Sequence, residues 1–286
     1  MDTAPPARIA GAAQAAAAAA RTAKAVVTYV WTHPANQGQR GQALLRAARF
    51  QLRGRLLRRR TLARLGEKSF LWVDLHRTGA SMVMYANPPD VPEMLAWRRV
   101  LQPGELFVDV GANVGSYTLW AAELGAEVIA LEPAADTFAL LEENVALNGY
   151  RVQAIQAAAG AECGTARFSA GRDAGNSLDP DGPVQTRLAT VDSLIGDRTV
   201  AGLKIDVEGF EIEVLRGCAN ALAERRLRLI QLEWNEMSEL ALGTSRQPIT
   251  DLLAAHGYQL YRPDAQGRLC PVTDPGYGPD VFACPG

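Results

Sequence analysis

Three charged side chains occupy alternate positions of one short segment, "LKIDVEG", residues 203–209. Lys204, Asp206 and Glu208 are separated by apolar residues, and the side chains of a strand alternate between its two faces, so a strand here would place all three charges on one face. Ionised groups are costly to bury unless they are paired or hydrogen-bonded. The pattern therefore indicates either a buried ion pair or a site of proton transfer.

Glu233 is a third acid with a comparable position, because it lies near the end of the predicted strand "LRLIQLEW". In parallel sheets, ligands bind beyond the carboxyl ends of the strands. A hydroxyl group is a poor nucleophile at neutral pH, so Asp206, Glu208 and Glu233 are candidate bases for activating one. Lys204 is expected to pair with Asp206 and keep it ionised, which makes Glu208 the better proton acceptor. Alternatively, the carboxylates could bind Mg²⁺, which prefers oxygen ligands.

A glycine-containing turn, "VDVGANVGSYT", follows the first predicted strand of the main repeat. Gly111 and Gly115 permit a tight strand-to-helix turn and a close approach by a ligand, and Asp109 is available to hold a cationic group. The next strand ends at Glu132, 21 residues after Gly111, where an acid can accept hydrogen bonds from ribose hydroxyls. Together these features predict a nucleoside pocket.

The spacing of the glycines narrows the choice of cofactor. Dinucleotide-binding proteins use GxGxxG, in which the second glycine lets the backbone approach a pyrophosphate. Asn113 occupies that position here, and the GxxxxGK[ST] phosphate loop is absent from the sequence. S-adenosylmethionine has no phosphate, but it has a sulfonium and an amino-acid tail, for which Asp109 is a suitable partner. The sequence therefore favours S-adenosylmethionine over a nicotinamide cofactor.

The segments around these residues alternate between strand and helix patterns. Since helices of this length between strands require crossover connections, we expect a mostly parallel sheet with helices on both faces. The predicted strands are "LFVDV", "EVIAL", "VQAIQAA", "LKIDV" and "LRLIQLEW", followed by a closing antiparallel pair, "YQLYR" and "DVFACP". Upstream, "FLWVDL" and "SMVMY" predict a hairpin or two edge strands. "ANPPD" predicts a turn, and the flanking Tyr85 and Glu93 are predicted to wall an acceptor pocket.

Charge divides the chain into two parts. Residues 1–66 contain 12 Lys and Arg and one acid, whereas residues 67–286 contain 17 Lys and Arg and 30 acids. We therefore predict an alanine-rich and then arginine-rich helical extension over residues 1–66, followed by the main domain over residues 67–286.

An amphipathic helix is predicted within the extension, at "QALLRAARFQLRGRLL". One side carries leucines and the other arginines, so the simplest expectation is that the leucine stripe packs on the main domain while the arginines are solvated. The alternative is a peripheral contact with a membrane or an acidic partner. Nucleic acid is not expected, because the segment has almost no aromatic side chains to stack on bases. The stripe consists of Leu44, Leu45, Ala48, Leu52 and Leu56, opposite Arg46, Arg49 and Arg53.

The compartment is expected to be the cytoplasm. The four cysteines lie far apart without a CxxC pair, so neither a zinc site nor a disulfide framework is indicated. The alanine-rich run over residues 9–20 is only weakly apolar and is followed by Arg21 and Lys24, which argues against a signal peptide. The sequence contains no run of 18 strongly apolar residues, so we expect no membrane-spanning helix.

Four blocks, in this order, resemble the signature segments of the FkbM family of S-adenosylmethionine-dependent methyltransferases: "FVDVGANVGSYTLWAA", "IALEPAADTFALLEENVALNG", "TVDSL" and "LKIDVEGFEIEVLRG". The resemblance implies the Rossmann-like fold of class I methyltransferases, with a seven-stranded, mostly parallel sheet that ends in a C-terminal antiparallel hairpin. It also implies O-methylation of a hydroxyl on a sugar, a glycolipid or a polyketide-type metabolite.

The same resemblance assigns roles to individual residues. The cofactor loop is matched by Asp109, Gly111, Asn113 and Gly115, and the ribose-binding acid by Glu132. Asp206 and Glu208 match the acids after the fourth strand, where many class I enzymes keep catalytic groups. A different class of function stays open, namely a non-catalytic nucleoside-binding module that docks a partner through its basic N-terminal arm.

Overall fold

The computed structural model of the chain describes residues 22–75, 78–168, 181–236 and 245–286. Within these ranges the strands are β1 (Thr61–Leu65), β2 (Ser69–Val73), β3 (Leu106–Val110), β4 (Glu127–Leu131), β5 (Val152–Ile155), β6 (Ala158–Ala159), β7 (Gly164–Phe168), β8 (Val184–Ala189), β9 (Val200–Ile205), β10 (Ile230–Leu232), β11 (Tyr258–Pro263), β12 (Leu269–Pro271) and β13 (Val281–Pro285). The helices are α1 (22–32), α2 (Arg40–Leu57), α3 (Thr78–Tyr85), α4 (Val91–Val100), α5 (Ser116–Glu123), α6 (Ala135–Asn148), α7 (Val191–Ile195), α8 (Glu211–Arg216), α9 (Ala219–Ala223) and α10 (Gln247–Ala255).

The main sheet has the order β12-β11-β13-β10-β9-β3-β4-β5. Strands β10, β9, β3, β4 and β5 run parallel to one another, and β13, β11 and β12 pair antiparallel at the other edge. Buried side chains form one apolar cluster on each face of this sheet, where the helices cover it. The predicted α/β class and its closing antiparallel pair are confirmed.

The main sheet has eight strands, one more than the seven that the family resemblance implied. The additional strand is β12, which pairs with the outer edge of β11 after a tight turn. That turn is held by hydrogen bonds from the Gly267 N–H to the Asp264 carbonyl (2.8 Å) and from the Asp264 N–H to the Arg268 carbonyl (2.9 Å). Gly267 has φ +74, a conformation that glycine adopts without strain.

Two predictions of local secondary structure were wrong. "SMVMY" lies in helix α3, not in a strand, and the hairpin partner of β2 is β1. A short apolar run does not distinguish a buried helix from a strand by its periodicity. The sequence pattern over residues 210–224 predicts one helix, but the structure divides this segment into α8 and α9 around Gly217, where a Cβ atom would lie 2.1 Å from the Gly160 carbonyl oxygen.

Helix α2 packs on the rest of the chain through a side that carries small residues and one phenylalanine. Ala43, Ala47 and Phe50 are buried in the same apolar cluster as the sheet, and a Cβ atom on Gly54 would lie 2.7 Å from Leu75. The predicted burial of the leucine stripe is therefore wrong for three of its four leucines: Leu44 packs against the cluster, but the other three lie on the side of the helix away from this contact. Leu45, Leu52 and Leu56 are 51%, 60% and 72% exposed.

The extent of the N-terminal extension stays a prediction. Its alanine-rich start, residues 1–21, lies outside the described residues. The expected boundary after Gly66 falls in the turn between β1 and β2. None of the helices in the ranges described is long and apolar enough to cross a membrane.

A close contact at the centre of the sheet gives a test of the fold. Gly202 on β9 has no side chain, and a Cβ atom there would lie 2.5 Å from the Trp97 ring and 2.6 Å from the Phe107 ring. We expect Gly202→Ala to lower the free energy of unfolding by about 1 to 3 kcal/mol, because the aromatic pair cannot move without losing its packing. Urea denaturation of the purified variant measures this change.

Gly41→Ala is the matched control, because Gly41 lies in α2 with no atom within 4 Å of the added Cβ. Alanine favours a helix by up to about 1 kcal/mol over glycine, so this variant should be as stable as the parent or slightly more stable. Equal stability of the two variants would contradict the packing described for Gly202.

Candidate active site

A cavity of about 320 Å³ lies at the carboxyl ends of β3, β4, β9 and β10. All of the candidate site residues predicted from the sequence line it, with the exception of Gly115. They are Asp109, Gly111, Asn113, Glu132, Lys204, Asp206, Glu208 and Glu233. The topology thus brings residues from four strand ends into one site, where the sequence rule for open α/β sheets places it.

The glycines of the turn after β3 are required by packing within the protein. Gly111 has φ +79, and a Cβ atom there would lie 1.8 Å from the Asp206 carbonyl oxygen, so the turns after β3 and β9 contact each other through their backbones. Gly115 has φ +100, and its Cβ position lies 2.8 Å from the Leu141 side chain. These contacts fix the turn against β9 and α6, and they leave the remaining face of the turn to the cavity.

Glu132 holds the same turn from the neighbouring strand. Its Oε2 accepts a hydrogen bond from the Asn113 N–H at 3.0 Å, and its Oε1 accepts one from the Ala134 N–H at 2.9 Å. Burial raises the pKa of Glu132 to about 7, in spite of these two bonds. Each carboxylate oxygen has a second lone pair, so Glu132 can also accept hydrogen bonds from the hydroxyls of a ligand.

Asp109 presents an unsatisfied carboxylate oxygen. Its Oδ2 accepts a hydrogen bond from the Thr118 hydroxyl at 2.6 Å, whereas its Oδ1 has no hydrogen-bond partner within the part of the chain that the structure describes. The residue is fully buried; burial raises the pKa of Asp109, and the nearby Lys204 lowers it. A buried acceptor without a partner is costly, so this oxygen suits a cationic or N–H group of a ligand.

Lys204 is the buried cation of the site, with 3% exposure. Its Nζ donates a hydrogen bond to Asp206 Oδ2 at 2.7 Å and lies 4.6 Å from the centre of the Tyr117 ring. Burial lowers the pKa of Lys204, but the charges of Asp206 and Asp109 outweigh it and leave the pKa above its ordinary value. The predicted pairing of Lys204 with Asp206 is therefore present.

Glu208 reaches the cavity from a turn, which corrects the expected strand geometry. Strand β9 ends at Ile205, so the alternation of faces does not extend to Glu208. Glu208 has φ +53, a left-handed conformation that is strained for a residue other than glycine, and Gly209 follows with φ +103. One carboxylate oxygen from each of Asp206, Glu208 and Glu233 nevertheless lies within 4.8 Å of the others.

Burial and neighbouring acids raise the pKa values of Glu208 and Glu233. Burial, followed by the charges of Asp206 and Glu211, raises the pKa of Glu208 to about 7. Burial, followed by the charges of Asp206 and Glu208, raises the pKa of Glu233 well above its ordinary range. Glu233 Oε1 accepts a hydrogen bond from Asn235, and its Oε2 has no partner among the described residues. The cluster can therefore both release and accept a proton near neutral pH.

The lining of the cavity also includes residues that were not predicted from the sequence. Asp90, in the "ANPPD" turn, lines the cavity and has an exposed surface. Desolvation by the surrounding protein atoms raises the pKa of its carboxyl. Tyr117 also lines the cavity, and its hydroxyl accepts a hydrogen bond from Gln231 Nε2 at 3.2 Å. Gln231 Nε2 donates a second one to Asp280 Oδ2 at 2.6 Å. The available sequence signal for Asp90 was a carboxylate in the proline-containing turn directly before α4.

The two residues that were expected to wall this pocket do not line it. Tyr85 packs into the apolar cluster, where its hydroxyl accepts a hydrogen bond from Gln51, and Glu93 is buried on α4. They miss the cavity because Tyr85 ends helix α3 and Glu93 lies in the first turn of α4, with the Asp90 turn between them.

The N-terminal segment holds the Asp90 turn in place. The Pro89 carbonyl accepts a hydrogen bond from His33 Nε2 at 2.7 Å and another from the Tyr29 hydroxyl at 3.2 Å. Pro89 and Asp90 both line the cavity. Tyr29 in α1 and His33 just after α1 therefore support one wall of the candidate site, although both are far from Pro89 in sequence.

Comparison with known proteins gives a consistent result. The family model described as the methyltransferase FkbM domain matches residues 109–260. The hexuronic acid methyltransferase AglP of Haloferax volcanii is 28% identical over 152 residues, which span 51% of this chain and 60% of that protein. The 31-O-demethyl-FK506 methyltransferase FkbM of Streptomyces tacrolimicus is 28% identical over 198 residues, which span 55% of this chain and 74% of that protein.

Solved structures show a looser similarity. An S-adenosylmethionine-dependent O-methyltransferase from Thermotoga maritima is 16% identical, with 70% of this chain and 66% of that chain covered and a TM-score of 0.41. This TM-score is too low to support an argument, so the fold assignment rests on the strand order and directions given above.

The raised pKa of Glu208 predicts a pH-dependent effect on stability. The pKa is about 7 in the folded chain against an ordinary 4.5, so the ionised carboxylate destabilises the fold. This cost is absent below about pH 4.5, grows between about pH 4.5 and 7, and is complete above about pH 7. Glu208→Gln should therefore raise the melting temperature at pH 8, and the increase should shrink toward pH 5.

Differential scanning fluorimetry at several pH values measures this difference. Glu142→Gln, at an exposed position on α6, is the control, and we expect its small effect on the melting temperature to be the same at pH 5 and pH 8. A Glu208→Gln effect that does not depend on pH would contradict the desolvated environment described for this carboxyl.

Proposed function

Because the chain belongs to the FkbM family of methyltransferases, we propose that it transfers the methyl group of S-adenosylmethionine to a hydroxyl group. The observation that carries this proposal is the position of three carboxylates, from Asp206, Glu208 and Glu233, in the same cavity as the turn after β3. An acid cluster beside a nucleoside pocket supplies a base for the acceptor hydroxyl. O-methylation needs such a base, whereas nucleoside binding alone does not.

The residues around the turn fit S-adenosylmethionine. Glu132 lines the cavity, and each of its oxygens accepts one backbone hydrogen bond and retains a lone pair for a ribose hydroxyl. The unpartnered Oδ1 of Asp109 suits the ammonium group of the amino-acid tail. The backbone of Gly111 and Asn113 lines the cavity between these two acids. When bound, the cofactor supplies a methyl group on a positively charged sulfur.

The acceptor hydroxyl must lose a proton as its oxygen is methylated, and we assign that proton to Glu208. A base is most effective when its pKa is close to the working pH, and the pKa of Glu208 is about 7. Lys204 holds Asp206 by the 2.7 Å ion pair, which leaves Asp206 to accept a hydrogen bond and orient the acceptor. Glu233, with its pKa raised further, keeps its proton at neutral pH and can donate a hydrogen bond to a second acceptor oxygen.

The acceptor class that we propose is a hydroxylated metabolite such as a sugar, a glycolipid or a polyketide-type compound. The names of the two relatives state a hexuronic acid in one case and 31-O-demethyl-FK506 in the other. Asp90 and Tyr117 line the same cavity as the three carboxylates and add further hydrogen-bonding groups to it. A polyol would satisfy more of these groups than an acceptor with a single hydroxyl.

The division of roles between cofactor and acceptor sides can be tested by two substitutions. Asp109→Asn should weaken S-adenosylmethionine binding at least about tenfold, because an amide cannot provide the charge that an ammonium group requires. Glu208→Gln should change this affinity by less than about twofold and slow turnover by about a hundredfold, because the base is lost. Isothermal titration calorimetry measures the first quantity, and S-adenosylhomocysteine formation with a panel of hydroxylated acceptors measures the second.

Titration with NAD is the control for the cofactor, and circular dichroism confirms that both variants are folded. Equal loss of S-adenosylmethionine affinity in both variants would contradict the assignment of Glu208 to the acceptor side. If the parent protein bound S-adenosylmethionine but methylated none of the panel, the non-catalytic binding module would be the better description.

Binding of Mg²⁺ by the three carboxylates is a separate prediction and needs its own measurement. The carboxylate oxygens of Asp206, Glu208 and Glu233 lie within 4.8 Å of one another, close enough for a small cation to draw them together and polarise an acceptor hydroxyl. If Mg²⁺ is part of the site, EDTA should reduce turnover at least about tenfold and added Mg²⁺ should restore it. Turnover that is unaffected by EDTA would exclude the metal and leave the three acids with the roles in proton transfer and acceptor binding given above.

A further inference from the structure

An outward-facing row of leucines runs along helix α2. Leu45, Leu52 and Leu56 are separated by seven and four residues, so they project from the same side of the helix. They are 51%, 60% and 72% exposed, whereas Ala43, Ala47, Phe50 and Gly54 on the opposite side are buried. Side chains of this size are expected to be buried, so a whole row facing outward along an ordered helix indicates a surface with a partner.

Arginines border this row on both sides. The expectation that Arg49 and Arg53 lie opposite the leucines is wrong: on a helical wheel both lie along one flank of the leucine row. Arg55 lies along the other flank, and all three arginines are exposed. Residues 22–66 contain ten Lys and Arg and no acid. The helix therefore presents a narrow apolar ridge between positive charges, and no carboxylate of its own segment neutralises them.

Two further features of this segment fit the same kind of partner. Trp31, at the end of α1, is 50% exposed, and the Arg40 guanidinium at the start of α2 lies 5.3 Å from the centre of its ring. A hollow of about 340 Å³ lies beside the leucine row, lined by Arg46, Arg49 and Arg53 among others. An exposed tryptophan, an apolar ridge and a basic hollow together resemble the groups that interact with lipid headgroups and with the upper part of the acyl chains.

We propose that this face of α2, defined by Leu45, Leu52 and Leu56 with Arg49 and Arg53, docks on the surface of an anionic lipid bilayer. The leucines enter the boundary between headgroups and acyl chains, and the arginines contact the phosphates. The helix lies in the plane of the surface, since it is packed against the protein along its whole opposite side. The proposal does not depend on the methyl transfer proposed above.

Charge and shape favour this occupant over the others. A second copy of the same face would bring ten further positive charges against the first, without an acid in either segment to pair with them. Nucleic acid would be contacted by the arginines, but the leucine ridge between them would then be pressed against phosphates. An anionic bilayer is complementary to both components, because it offers negative headgroups and apolar chains in the same plane.

Flotation of the full chain with lipid vesicles tests the proposal. Vesicles of phosphatidylcholine with about 30% phosphatidylglycerol should carry the protein with them, and vesicles of phosphatidylcholine alone should carry at least about tenfold less. Raising NaCl from about 0.1 M to about 0.5 M should reduce binding to the anionic vesicles, because salt screens the arginines.

Two sets of variants examine the two components of the face separately. The triple variant Leu45→Ser, Leu52→Ser, Leu56→Ser should reduce binding to anionic vesicles at least about tenfold without a loss of melting temperature, since these side chains are exposed. Arg49→Gln with Arg53→Gln should reduce it by about tenfold. The matched controls are Leu147→Ser, on the exposed part of α6, and Arg151→Gln with Arg187→Gln, and they should bind as the parent does.

Several results would overturn the proposal. Equal binding to neutral and anionic vesicles, or binding that survives the triple leucine substitution, would exclude this face as the lipid contact. Failure to bind either kind of vesicle would also exclude it, and an acidic protein would become the better candidate. If the chain bound duplex DNA more tightly than anionic vesicles, and the arginine substitutions removed that binding, the face would be a nucleic-acid contact.

Discussion

The buried ammonium group of Lys204 is the interaction on which the geometry of the site depends. A charge with 3% exposure must be compensated within the protein, because moving it out of water costs several kcal/mol. The sheet provides the compensation by register: Lys204 on β9 is level with Asp109 on β3 and with Gln231 on β10. One row of polar side chains therefore crosses three parallel strands near their carboxyl ends.

Each neighbour of this row is connected to it by a hydrogen bond or a charge. Asp206 forms an ion pair with Lys204, and the ring of Tyr117 contacts the ammonium group. Gln231 donates hydrogen bonds to both Tyr117 and Asp280. The unsatisfied groups remain at the two ends of this network. They are Asp109 Oδ1 on the side of the turn after β3 and Glu233 Oε2 on the side of the carboxylate cluster. The network thus leaves open the two places where the proposed function requires a cofactor and an acceptor.

The sequence predicted the parts of this site that depend on local pattern. Strand alternation, the glycine turn and an acid at each strand end placed eight candidate residues in one cavity, and the Lys204–Asp206 pair followed from their spacing. It failed where packing between distant segments decides the conformation. Glu208 leaves the strand because the backbone after Ile205 turns against Gly111, and Asp90 enters the cavity because His33 and Tyr29 hold Pro89.

The orientation of α2 was mispredicted for the same reason, and the error is informative. A helical wheel shows where the apolar residues lie, but it does not show which side approaches the protein most closely. The alanines and Gly54 allow that approach, because a Cβ atom at residue 54 would already collide with Leu75. The side that docks carries alanines, Gly54 and one large residue, Phe50, whereas Leu45, Leu52 and Leu56 face outward with arginines along their flanks. Since α1 ends just before His33, whose ring supports the Asp90 turn, the outward face and one wall of the cavity belong to the same continuous segment.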